Sequence, residues 1–174
     1  MFAYDLAKAY NTMQTGMVER HLRRFIWKLT EDGPWVDFAI DKVHFGDRPA
    51  ACQLEVSKRK IAELGRDIDP QAAACLTEDT YVDDGLCGGD DKDIERMIGS
   101  KDADGNYEGT IPRILSLGGF KVKEFVVEGD MNQSDDNLLN NSVFGYKWNP
   151  KGKENWFSRS ISVKRKGVLG VCPI

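Results

Sequence analysis

Tyr81-Val82-Asp83-Asp84 is followed at once by Gly85, which sets two adjacent carboxylates in a tight turn between apolar runs. Like charges a few ångströms apart repel, and each raises the other's pKa unless something positive sits between them. A hard divalent cation such as Mg²⁺ meets that need, because it takes carboxylate oxygens and keeps room for phosphate oxygens. The chemistry such a pair suggests is phosphoryl transfer. A further carboxylate, Asp5, stands at the end of the first apolar run. Transfer assisted by two metal ions needs carboxylates from different strands meeting at one edge of a sheet, so that the metals clamp both the attacking and the leaving oxygen. Each carboxylate also has an ordinary reading. Asp5 suits the N-cap of a short helix over Leu6 to Tyr10, and Asp83-Asp84-Gly85 suits a plain hairpin turn.

The elements that must position these residues follow from periodicity and turn chemistry. Phe2 to Leu6 reads as a strand and Ala7 to Tyr10 as the start of a helix. The runs Arg23 to Leu29 and Trp35 to His44 are rich in aromatic and β-branched residues, and Glu31-Asp32-Gly33-Pro34 joins them as a hairpin. Pro49 suits a first helical turn, and Ala50 to Leu64 holds no helix breaker. Pro70 to Leu76 predicts a second, short helix. Thr80 to Val82 predicts a strand running into a turn at Asp83-Asp84-Gly85, with Leu86-Cys87 returning. Lys92 to Ile98 and Ile111 to Leu117 read as helices, the latter stopped by Gly118-Gly119. Phe120 to Val127 alternates as a strand. Beyond a polar loop, Val143 to Trp148 and Trp156 to Val163 read as strands joined by Asn149-Pro150-Lys151-Gly152. The order β, ββ, α, ββ, α, β, ββ predicts an α+β domain with a mostly antiparallel sheet backed by helices.

Composition narrows the class. A chain of 174 residues with 41% hydrophobic and 30% charged residues has the make-up of a globular domain, not a disordered one. The net charge of −4 gives no global basic field, although a local basic stripe can still bind phosphates. Such a mixture occurs at Lys147, Lys151, Lys153, Arg159, Lys164, Arg165 and Lys166, interleaved with Trp148, Trp156 and Phe157. It fits either a primer backbone or a solvated hairpin face. Cys52, Cys75, Cys87 and Cys172 form no CxxC pair and read as reduced thiols rather than a zinc site or a disulfide framework. No run of 18 apolar residues suggests a membrane span. His21 and His44 lack ligand partners at metal spacing.

Five segments in order resemble the palm of reverse transcriptases. Asp5-Leu6-Ala7-Lys8-Ala9-Tyr10 resembles the first catalytic motif, an Asp with an aromatic five residues on. Phe45-Gly46-Asp47-Arg48-Pro49-Ala50 resembles the loop and helix start that meet template and nucleotide. Tyr81-Val82-Asp83-Asp84 resembles the metal-binding turn, Leu117-Gly118-Gly119-Phe120-Lys121 the fourth motif, and Phe144 to Pro150 the primer-holding hairpin. The wording FGDRPAA, PQAAACL, YVDD, GGFKVKE and KWNPK is most similar to polymerases of BEL/Pao-type LTR retrotransposons.

The resemblance implies a polymerase palm with a ferredoxin-like core over residues 1–174, in which 141–174 form a terminal primer-grip-like hairpin and tail. It implies RNA-directed DNA synthesis, with a primer 3′-hydroxyl attacking the α-phosphate of a dNTP. Asp5, Asp83 and Asp84 would hold two Mg²⁺ ions, with Mn²⁺ as a substitute. Tyr10, Gly46, Arg48 and Lys121 would face the nucleotide, with Tyr10 under the sugar. Lys121 or Lys123 would protonate the leaving pyrophosphate or else face solvent. Tyr81, Val82, Tyr146 and Trp148 would lie at the primer and template. The implied partners are an RNA or DNA template-primer and dNTP, with fingers, thumb and RNase H supplied by a longer polyprotein. The implied location is an intracellular, cytoplasmic virus-like particle. The helix-start proline, common in the family near position 51, stands at Pro49 here, and the expectation is an excerpt or relic of a longer chain. Its rival is a non-catalytic retroelement-derived fragment acting as a nucleic-acid or protein interaction module.

Overall fold

The computed structural model describes residues 1–44 and 46–128, and the backbone of 142–143 and 146–147. The chain divides into two compact units, Met1–Glu128 and Gly129–Ile174. In the first unit the strands β1 (Phe2–Ala7), β4 (Thr80–Tyr81), β5 (Asp84–Cys87) and β6 (Lys121–Val127) form an antiparallel sheet of order β4-β5-β1-β6. Helices α1 (Ala9–Thr12), α2 (Ala50–Gly65), α3 (Pro70–Glu78), α4 (Asp91–Ile98) and α5 (Thr110–Ser116) complete it, with a 3₁₀ turn at Glu19–Arg23. The α+β class and the antiparallel sheet agree with the sequence pattern. Among the described residues, no helix is long and apolar enough to cross a membrane.

β1 is central because it is apolar on nearly all positions. Phe2, Tyr4 and Leu6 are buried in the main core with helical residues, and the alternate positions Ala3, Asp5 and Ala7 point to the other face. Phe125 on β6 anchors that core: its ring meets Phe2, Tyr4 and Tyr107 at centroid distances of 5.8, 5.7 and 4.7 Å. Leu54, Leu76, Ile111, Ile114 and Leu115 are fully buried, each contributing about 1.5–3 kcal/mol of burial.

The helices start where side chains satisfy free backbone donors. Asp69 caps α3, accepting from Gln71 N at 3.0 Å and Ala72 N at 3.2 Å, with Pro70 in the first turn. Its other oxygen accepts from Thr110 Oγ1 at 2.6 Å and pairs with Arg96. This buried carboxylate therefore ties together α3, α4 and the start of α5.

β2 (Arg24–Lys28) and β3 (Trp35–Ala39) form the expected hairpin as a separate two-stranded ladder. Its apolar side chains are largely exposed: Trp27 at 62% and Trp35 at 65%. In the second unit, β7 (Ser142–Val143) pairs with β8 (Tyr146–Lys147). A single strand over Val143 to Trp148 is thus corrected. Within the run, Val143 and Tyr146 are antiparallel partners on two separate strands. The strand expected over Trp156 to Val163 and most of the basic tail, from Trp148 onward, lie outside the described residues.

Two further expectations are corrected. The hairpin turn expected at Asp83-Asp84-Gly85 does not lie there. Asp84 and Gly85 belong to β5, and Val82-Asp83 form the tip. The reason is packing: Gly85 lies opposite Tyr4, and a Cβ there would stand 2.1 Å from the Tyr4 ring. Gly85 serves a close approach of backbone to ring, not a left-handed turn. The cysteines are not all reduced thiols either. Cys75 and Cys87 form a disulfide with a Cα–Cα distance of 6.0 Å, because the end of α3 lies against β5 and both side chains enter one core. Cys52 is free and exposed.

Gly85→Ala is expected to lower unfolding free energy by about 1–3 kcal/mol through overpacking against Tyr4. Combining it with Tyr4→Leu is expected to recover part of that loss, measured by denaturant titration of the two variants and the double variant.

Candidate active site

The antiparallel register makes Asp5 and Asp84 direct cross-strand partners on β1 and β5. Direct partners share a face, so both carboxylates leave the sheet on the side away from Tyr4 and Gly85. Tyr81 lies opposite Asp84 on β4 and is 71% exposed. Asp83 sits at the tip, where its carbonyl accepts from Leu6 N at 3.1 Å, so the turn is bound to the strand that carries Asp5. The structure therefore brings Asp5 and Asp84 together on one pair of strands, with Asp83 in the turn bonded to β1. Their oxygens do not all gather within 4.8 Å of one another; among the described residues, only Cys75, Asp79 and Cys87 do so.

The backbone here is strained. Val82 has φ 55° and Lys8 φ 51°, the positive-φ non-glycine residues of the described chain. A β-branched residue in that region is an outlier, at about 1–3 kcal/mol. Lys8 follows β1 three residues after Asp5, and Val82 precedes Asp83. Both strained residues therefore border the carboxylates.

Lys123 reaches the site through a bulge. Asp5 is opposite Glu124 but Leu6 is opposite Val122, so Lys123 is the extra residue in β6. A bulge re-aims its side chain. Its Nζ donates to Asp5 Oδ2 at 2.9 Å, and that hydrogen bond together with the Asp5 charge holds the amine above its ordinary pKa. Lys121, the lysine preferred from sequence, is exposed and paired in register with Ala7.

Tyr10 is buried in the core, and burial, then the charge of Asp83, hold its phenol above the ordinary pKa. The segment after it is tied to the strand-like run before Gly46: Val43 N donates to Met13 O at 3.1 Å and Thr15 N to Asp41 O at 2.9 Å. Gly46 adopts φ +89°, a conformation that favours glycine. Arg48 is exposed, while its neighbour Asp47 pairs with Arg23 at 2.8 Å and accepts from His44 N at 3.0 Å. Tyr146 lies in β8, and Trp148 lies outside the described residues.

One contributor was missed from sequence. Lys58 lies on the buried stripe of α2 with Leu54, Ile61, Ala62 and Gly65 and is 1% exposed. Its Nζ is 3.0 Å from Glu55 Oε2 but off the hydrogen-bonding direction, which leaves the ammonium incompletely satisfied. Burial holds its pKa below 10.5, with the Glu55 and Asp83 charges acting in the opposite direction. Burial pushes the Glu55 carboxyl up, but the adjacent Lys58 ammonium and the Arg59 guanidinium, which donates to it at 3.1 Å, more than offset that and hold it low. A lysine inside an otherwise apolar 3–4 stripe was the available signal.

No protein-family model and no curated protein matches the chain.

Two stability measurements probe this geometry. Val82→Gly is expected to be about 1 kcal/mol more stable than Val82→Ala, the reverse of the usual order, because only glycine releases the left-handed strain. Glu55→Ala is expected to destabilise by about 3 kcal/mol by stranding a buried ammonium, whereas Lys58→Met is neutral or stabilising. Between the depressed folded pKa of Lys58 and 10.5, the unfolded chain binds more protons on this amine than the folded chain. Stability therefore rises with pH across that window, and Lys58→Met is expected to flatten the slope in denaturation series at alkaline pH.

Proposed function

We propose that the chain is a reverse-transcriptase palm of the BEL/Pao retroelement type, performing RNA-directed DNA synthesis from dNTP onto a primer 3′-hydroxyl. The observation that carries this reading is the register pairing of Asp5 with Asp84, with Asp83 bound to the same strand at the tip of a strained turn. Support also comes from the order of the five resembling segments along the chain.

The residues fit Mg²⁺ on two counts. The donors are hard carboxylate oxygens, those of Asp5 and Asp84 on one sheet face, and a cation, the Lys123 ammonium, already sits on Asp5 at 2.9 Å. Asp5, Asp83 and Asp84 are the residues that would hold the ions, which supply acidification of the primer hydroxyl and neutralisation of the triphosphate. The chain's own groups do the rest. Tyr10 gives a rigid, packed floor beside Asp83 for the nucleotide sugar. Tyr81 projects from the same face as Asp84, at the side where a primer end would lie. Lys123 places a proton donor and positive charge next to Asp5, where pyrophosphate charge would develop. Phosphoryl transfer is catalysed chiefly by such positioning and electrostatics.

A second reading, a non-catalytic nucleic-acid interaction module, is favoured by the β2–β3 hairpin. Its exposed Trp27 and Trp35, with Lys28 Nζ 5.3 Å from the Trp35 ring, combine stacking surface with positive charge.

Primer extension on an RNA template with Mg²⁺ or Mn²⁺ separates the two. The expected outcome is dNTP-dependent extension that Asp83→Asn with Asp84→Asn abolishes while template-primer binding persists. Extension surviving in that double variant removes these residues from catalysis. Binding without extension by the parent chain selects the interaction module.

A further inference from the structure

Strand β5 carries chemistry on both faces. Asp84 leaves on the carboxylate side, whereas Cys87, three residues on, leaves on the helix side opposite Phe2. There Cys87 meets Cys75 from the last turns of α3, and both residues are buried, at 1% and 4% exposure. The Asp79 carboxylate stands at the exposed rim, and one ligand atom from each of the three residues lies within 4.8 Å of the others. That carboxylate makes no hydrogen bond or ion pair among the described residues.

The frame around the three is rigid. Asp79 N–H donates to Cys75 O at 3.1 Å, Thr80 Oγ1 donates to the same carbonyl at 3.1 Å, and Leu86 N–H donates to Asp79 O at 2.9 Å. The end of α3, the rim carboxylate and β5 are thereby held together by the backbone, independently of the sulfur–sulfur bond. Two soft thiolates and one carboxylate, with a fourth position open to solvent, are the donor set of a four-coordinate thiophilic cation and not of Mg²⁺ or Ca²⁺.

We propose that Cys75, Asp79 and Cys87, once the disulfide is reduced, form a binding site for a zinc-class divalent cation on the helix side of β5. The site is therefore two-state. Oxidised, the sulfurs bond each other and ligate nothing. Reduced, they exchange two S–H bonds for two metal–sulfur bonds and release two protons. In vitro a trialkylphosphine and water supply the reduction: the phosphine becomes its oxide, and the disulfide takes up two electrons and two protons to give two thiols. The inference rests on these residues alone and stands whether or not the chain is a polymerase.

Co²⁺ is the probe, added anaerobically to the full chain carrying Cys52→Ser and Cys172→Ser, so that only the pair can supply sulfur. The expected result for the phosphine-reduced chain is one equivalent of Co²⁺ bound with a sulfur-to-cobalt charge-transfer band. Zn²⁺ is expected to bleach that band, and excess Mg²⁺ to leave it unchanged. Asp79→Asn is expected to weaken binding about tenfold or more. The oxidised chain of the same sequence is the folded control and gives no band. It keeps the test decisive even if Cys75→Ser or Cys87→Ser fails to fold. A reduced chain without the band, a band that persists in the oxidised chain, or displacement of the cobalt by Mg²⁺ overturns the proposal.

Discussion

The pairing of β1 with β5 is the constraint on which the rest depends. Tyr4 lies across Gly85 with no space for a Cβ, and this contact sets the register that makes Asp5 and Asp84 partners. A slip of one residue would send every side chain of β5 to the opposite face. Asp84 would then enter the apolar core, and Cys87 would leave it. Burial of Phe2, Tyr4 and Leu6 on the helix side thus fixes the carboxylates on the other side by simple alternation.

The charges near the tip are balanced by groups from distant elements. Lys123 comes from β6 through a bulge, and Lys58 comes from the buried stripe of α2. One cation is exposed and bonded to Asp5; the other is buried and feels the charge of Asp83. The exposed pair is worth little for stability, whereas the buried amine is a lasting demand on its surroundings. Their shared value is electrostatic: each places positive potential beside carboxylates whose own repulsion opposes their proximity. The strain at Lys8 and Val82 belongs to the same bargain, in which a stable sheet and core hold a turn away from its preferred conformation.

β5 joins two kinds of donor. Hard oxygens occupy one face and soft sulfurs the other, with only the thickness of a strand between them. The link from α3 to β5 through Cys75 and Cys87 meets the strand that carries Asp84 three residues beyond that carboxylate.

Much of this was legible in the sequence because it is local. Pro49 and a run without breakers marked α2, Pro70 the start of α3, Gly118-Gly119 the end of α5, alternation β6, and turn residues the β2–β3 hairpin. The carboxylates and the order of the motifs are likewise read residue by residue. Four features were decided only by tertiary structure, each because its cause lies far along the chain. The tip moved to Val82-Asp83 because Tyr4, some 80 residues away in sequence, needs the space above Gly85. Lys123 rather than Lys121 reached Asp5 because a bulge broke the alternation that sequence reading assumes. Lys58 became buried because α2 packs against α3 and α5, which encloses the stripe it occupies. Cys75 met Cys87 because a helix end and a strand, both driven by apolar burial, enter the same core. The sequence by itself determined which residue types could do chemistry and on which elements they ride; long-range packing decided which of them face one another.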